Sequence, residues 1–266
     1  MIDIELIDVM GIEGAIKGMR NPYKNRDKSD SGWAASTDDE FYYSIGPKDL
    51  ELCQKLLRSG EDSDSKFMRM IHVQADVNAP LYWWKEFDTY KVATTANSES
   101  TMHTIHARPF ITNDFSFDQL IDEYTLTEDK KNFTDDYDFE TVYSSESDDE
   151  IITTPLGLLD ITMQHLNTIR NLYLKARDDG RKADAYTLWY NMIQLLPSSY
   201  MQKRTIDLDY QTLRRIFFAR RHHKLKEWSG PEGFCEWIQT VLPYAKDLIC
   251  YDPKPPVKVK IENANN

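Results

Sequence analysis

Apolar residues recur every three to four positions along several stretches of this chain, and each such stretch predicts a helix. Pro47 to Arg58 places Leu50, Cys53, Leu56 and Leu57 on one face, with Gly60 after it as a stop signal. Pro155 to Ala176 carries Leu158, Leu159, Ile161, Met163, Leu166, Ile169, Leu172 and Tyr173 at the same spacing. Ala183 to Leu195 follows with Trp189, Met192 and Ile193. Asp209 is a good N-cap for a further helix whose apolar stripe is Leu213, Ile216, Phe217 and Leu225. Shorter helices are predicted at Ile12 to Met19 and Phe234 to Leu242.

Strict alternation marks the strands. Ile2 to Met10 reads as a first strand, and Lys66 to Val77 as a largely buried one. Arg20 to Trp33 is polar and rich in turn formers, so it reads as a long loop, with Arg20, Lys24 and Arg26 as cations within reach of a phosphate. Pro80 to Lys91 is helix-compatible and holds five aromatics, Tyr82, Trp83, Trp84, Phe87 and Tyr90. Thr94 to His103 is small and polar, as a binding loop would be. His103, Thr104 and His106 follow on an alternating segment without a carboxylate or cysteine at ligand spacing, so no metal site is expected.

Composition adds one asymmetry. The net charge of −12 resides between Asn113 and Glu150, which holds 14 acidic residues and 2 lysines; the remainder holds 30 of each sign. The expected organisation is therefore a single domain over 1–251, an acidic insertion at 113–150 that is solvated and mobile, and a flexible tail at 252–266. No basic stripe suited to duplex nucleic acid is present. No apolar run reaches the roughly 20 residues that span a bilayer, and the first residues show no leader pattern. Three cysteines, Cys53, Cys235 and Cys250, share no metal spacing and point to the reducing cytoplasm, with the thiols as core filler.

The predicted helix after Asp209 carries Arg214, Arg215, Arg220 and Arg221 beside its apolar stripe. Guanidinium groups at the edge of a core suit an anion or a polarised carbonyl. Pro197 lies in a Leu-Pro pair, Asp209 follows it by 12 residues and Arg220 by 11 more. This resembles the C-terminal signature of the flavin-dependent thymidylate synthases, which has Leu-Pro, Asn and Arg at those intervals. That family's other motif runs Arg-His-Arg, two residues, Ser, one residue, Asn, two residues, Ser, one residue, Arg. Thr95, Asn97 and Ser100 fall at its polar positions; Tyr90, Lys91 and Val92 replace Arg-His-Arg, and Met102 replaces the last Arg. Ser59-Gly60 matches the start of the family's Ser-Gly-His.

The resemblance implies an α+β fold, a mixed sheet flanked by helices, assembled as a homotetramer. It implies methylation, or a related alkylation, at carbon 5 of a deoxyuridylate-type pyrimidine nucleotide, with FAD as cofactor and methylenetetrahydrofolate and NADPH as co-substrates. Arg220 would be the catalytic ring activator. Asn97, Glu99, Ser100 and Arg215 would hold the nucleotide; Tyr90, Lys91, Thr95 and Asp209 would face the flavin. Arg69, Lys85, Lys91 or Arg108 would take the phosphate in place of the missing Arg. Two other readings stay open: a catalytically altered nucleotide- or flavin-binding homologue, and an acidic interaction protein without enzyme activity.

Overall fold

A computed structural model of the chain describes residues 2–35, 41–121, 142–143, 150–151 and 154–253. The order begins with β1 (Asp3–Met10), α1 (Ile12–Met19), β2 (Gly32–Ala35), β3 (Phe41–Ser44) and α2 (Pro47–Arg58). It continues with β4 (His72–Pro80), α3 (Leu81–Phe87), β5 (Thr94–Ser98), α4 (Thr101–Thr104), β6 (Val142–Tyr143) and β7 (Glu150–Ile151). It closes with α5 (Pro155–Asp178), α6 (Lys182–Leu195), β8 (Met201–Asp209), α7 (Tyr210–Arg220), α8 (Lys226–Ser229) and α9 (Phe234–Val241). The expected α+β class is the one observed. A four-stranded sheet has the order β1-β4-β8-β5, and β2–β3 and β6–β7 form antiparallel pairs.

The chain forms two compact units, with boundaries inside β4, α3, β5 and β8. The larger comprises 2–77, 87–97 and 204 onward. Its portion of β4 buries Val73, Ala75 and Val77 completely and turns the intervening side chains outward, as a strand requires. On that outward side His72 Nδ1 lies 2.9 Å from Asp207 of β8, and Thr205 donates to Asp76 at 2.6 Å. Trp228, Phe234, Leu213 and Ile216 belong to the core of this unit, all fully buried. The smaller unit comprises 78–86 and 98–203. Helices α5 and α6 pack together there, and Leu166, Ile169 and Met192 close on Ile105, Phe110 and Phe115.

Helices whose apolar stripe was unambiguous formed where expected: α1, α2, α5, α6, α7 and α9. Four expectations are corrected. Ser65–Met70 is a 3-10 helix, not part of a strand: Phe67 and Met68 are both buried, which alternation forbids. Thr94 to His103 is strand β5 followed by α4, and His103 and Thr104 are helical. Leu225, expected in the apolar stripe of α7, caps α8 instead. The segment Arg20 to Trp33 contains two 3-10 turns and the start of β2, and Arg20 is buried against Asp49 instead of reaching for a ligand.

The expected acidic insertion begins as structure. Asp114 and Phe115 are buried, Phe115 bridges to Tyr200, and Ser116 N–H donates to the Ser199 carbonyl at 2.8 Å. Its middle, 122–141 and 144–149, lies outside the described residues, as does most of the expected tail.

Gly11 joins β1 to α1 at φ 87°, a conformation in which a Cβ is strained. An added Cβ would also overlap the Met70 carbonyl oxygen, which is backbone and cannot rotate away. Gly11→Ala is therefore expected to cost about 2 kcal/mol or more. The midpoint of chemical denaturation would register this, and an unchanged midpoint would refute the assignment.

Candidate functional site

In the larger unit the site is built on α7. Asp209 ends β8 in extended conformation and its carboxylate accepts the Thr212 N–H at 2.7 Å, so it caps α7 while only 3% exposed. The buried face of α7 is Leu213, Ile216 and Phe217, which leaves the arginines on the flanks. Thr212 Oγ1 donates to the Val92 carbonyl at 3.2 Å and ties the turn before β5 to the first turn of α7. Ala93 in that turn has φ 54°, a left-handed conformation rarely held by a residue with a Cβ.

Each arginine of α7 has a different task. Arg214 donates to the carbonyls of Leu248, Ile249 and Tyr251 at 2.6 to 3.0 Å, and burial pulls its guanidinium below the ordinary range. Arg215 is exposed and reaches Asp62 at 3.1 Å. Arg221 lies over the Phe218 ring at 4.6 Å and against Asp252. Arg220, at the last position of the helix, donates from Nε to Tyr90 Oη at 2.9 Å. Its guanidinium carbon is 5.6 Å from the Tyr90 ring centre and 5.2 Å from that of Trp228, which is fully buried. Two aromatic faces and one phenol thus hold a guanidinium that is only partly covered.

Lys91, Thr95 and Asn97 are exposed, the first in the turn and the others on the terminal strand of the sheet. A cavity of about 450 Å³ opens beside Gly60, Asp62, Gln211, Arg215 and Phe218. Ser59-Gly60 stands at the end of α2, with Gly60 at φ 73°.

Glu99 and Ser100 belong to the smaller unit. They border a cavity of about 360 Å³ with Thr104, Arg108, Asp114 and Tyr200. Ser100 Oγ lies 2.9 Å from His103 Nδ1, and the Glu99 N–H donates to the Lys203 carbonyl at 3.0 Å. Arg108 grips Asp114 through both terminal nitrogens, one of them at 2.7 Å. Burial pushes the Tyr200 phenol above its ordinary range, helped by the Asp114 charge.

Tyr90 and Arg220 are brought together, as are Arg215 and the Ser59-Gly60 turn. Trp228, Gln211 and Asp62 were not singled out in the sequence. Gln211 carried one signal: a polar residue on the buried side of an amphipathic helix. Burial pushes the Cys53 and Cys235 thiols up to about 12, which leaves them protonated at neutral pH. Among the described residues there is no group of three or more His, Cys, Asp or Glu able to hold a metal ion, and no helix long and apolar enough to cross a membrane.

At the level of sequence, no family model and no curated protein matches the chain. Solved structures do. The crystal structure of thymidylate synthase X from Helicobacter pylori with FAD and dUMP aligns at a TM-score of 0.54 and 12% identity, over 94% of this chain and 97% of that one. A second structure of the flavin-dependent thymidylate synthase from Helicobacter pylori, complexed with FAD and dUMP, gives 0.53 and 12%, over 93% and 97%. An identity of 12% with nearly complete coverage is a likeness of architecture. The chain has the fold of the flavin-dependent thymidylate synthases.

Proposed function

We propose that this chain methylates carbon 5 of a deoxyuridylate-type pyrimidine nucleotide in a flavin-dependent reaction. The observation that carries the reading is Arg220: a guanidinium held by Tyr90 and Trp228 at the position the C-terminal signature reserves for the ring-activating Arg. Carbon 5 must become nucleophilic, and a fixed cation beside the pyrimidine stabilises the negative charge that develops on the ring. Asn97 and Arg215, both in the larger unit, hold the nucleotide. Asp209 serves the site by fixing the start of the helix that carries Arg215 and Arg220.

The residues present fit FAD. Lys91 and Thr95 offer exposed ammonium and hydroxyl groups suited to a pyrophosphate and a polyol chain, and Tyr90 offers a ring. When bound, reduced flavin would supply the hydride, with NADPH as its reductant and methylenetetrahydrofolate as the source of the carbon that replaces the carbon-5 proton. A homotetramer in the cytoplasm is the assembly and location that go with this reading.

One observation favours binding without turnover. Val92 and Met102, 72% and 60% exposed, stand where the family's motif places arginines, and neither can contact a phosphate ionically. Two measurements decide. Protein purified under mild conditions is expected to show flavin absorbance, natively or after added FAD; no absorbance in either case overturns the flavin reading. Release of tritium from 5-tritiated deoxyuridylate then distinguishes an enzyme from a binding homologue.

A further inference from the structure

Several cations near the candidate sites are committed to partners inside the protein. Arg20 is buried with Asp49, Arg214 is used on three main-chain carbonyls, and Arg108 grips Asp114. Arg69 and Arg215 differ. Each keeps about half of its side chain exposed, at 48% and 49%, and both turn toward one carboxylate, Asp62, at 3.8 and 3.1 Å.

Gln211 completes this arrangement. It is 5% exposed, and its Oε1 accepts from Arg69 Nε at 2.6 Å, which orients the amide nitrogen. That nitrogen donates to Asp62 Oδ1 at 2.9 Å. Two guanidinium groups and one anchored amide thus converge on an anion. The anion itself is the least fixed member: Asp62 has a side chain 68% exposed and follows the left-handed Gly60 in a surface turn. The cavity of about 450 Å³ adjoins it, with Leu57 and Phe218 as apolar walls. Rotation of Asp62 outward would leave two guanidinium groups and the Gln211 amide nitrogen around the position it vacates, with Arg215 and Gln211 also lining that cavity, a match for a phosphate dianion.

We propose that Asp62 is an internal stand-in for a phosphate monoester, occupying a three-donor anion site made by Arg69, Gln211 and Arg215, and that it must be displaced before the phosphate binds. That the phosphate belongs to a nucleotide rests on the function proposed above; the anion site does not. Asp62 then sets the affinity for phosphate-bearing ligands without touching them.

The test is calorimetric titration of the full chain with inorganic phosphate and, separately, with deoxyuridylate. Asp62→Ala is expected to bind inorganic phosphate about tenfold more tightly than wild type, since a competing charged contact of modest strength is removed. Adding Arg215→Met to that variant is expected to abolish the gain. Circular dichroism checks that both variants fold, and Asp62, exposed on a turn, is a mild site for substitution. An unchanged phosphate affinity in Asp62→Ala, or no effect of Arg215→Met, overturns the anion site. If phosphate behaves as stated while deoxyuridylate binds no better than phosphate, the site stands and its nucleotide assignment falls.

Discussion

Arg220→Lys is expected to lower tritium release from 5-tritiated deoxyuridylate by about 10²- to 10³-fold, the scale seen when one preorganised charge-stabilising donor is lost. Lysine keeps the charge but not the planar fork of donors, and its compact ammonium cannot both approach two aromatic rings and reproduce the Nε–H bond to a phenol. Arg220 does both, through Trp228 and Tyr90. Flavin absorbance should survive at least in part, because Lys91 and Thr95, on another segment, are retained although Tyr90 loses its bond from Arg220. Turnover within about threefold of wild type would remove Arg220 from the chemistry. Loss of flavin together with turnover would instead mean that the guanidinium supports the cofactor.

The largest expected effect on stability lies at Asp49. The side chains of Asp49 and Arg20 are 0% and 6% exposed, and Ser29 and Ser31 each donate to the carboxylate at 2.6 Å. Asp49→Asn leaves the Arg20 charge buried without its counter-charge, which costs about 3–5 kcal/mol. Urea unfolding at neutral pH measures this, and a cost below about 1 kcal/mol would show that the pair is dispensable. The same group sets an acid limit. Burial opposes the Asp49 charge, but the bonds from Ser29, Ser31 and Arg20 outweigh it and hold the carboxyl below its usual range. A carboxylate depressed on folding stabilises fully above its unfolded pKa of about 3.9 and loses that contribution as pH falls through the folded value. Wild-type stability should therefore drop in that acid window, and the Asn variant should lack this component of the drop.

What could be read in the sequence depended on how local the cause was. Helices α2, α5, α6 and α7 declare themselves because one stripe of side chains faces one core. Strand β8 does not: only its end, Ile206, Leu208 and Asp209, is buried, and its polar half is held in the sheet by neighbouring strands. The hairpin of β2 and β3 escaped for a similar reason, with Trp33 and Phe41 well exposed and no alternation to find. For the candidate site, Arg220 was visible through its spacing from Pro197. Trp228 was not, because a lone indole in a four-residue helix has no periodic neighbours. The Asp62 and Gln211 contact joins positions 149 residues apart, and only the folded chain brings them together.

The approach of the Arg220 guanidinium to within 5.2 Å of the Trp228 ring centre gives the protein an optical property of its own. An indole beside a cation emits differently from one beside a neutral ring system, so displacement of that guanidinium by any bound heterocycle would change the light the protein emits. Occupancy of the pyrimidine position could then be followed in a cuvette without a label, a radioisotope or turnover.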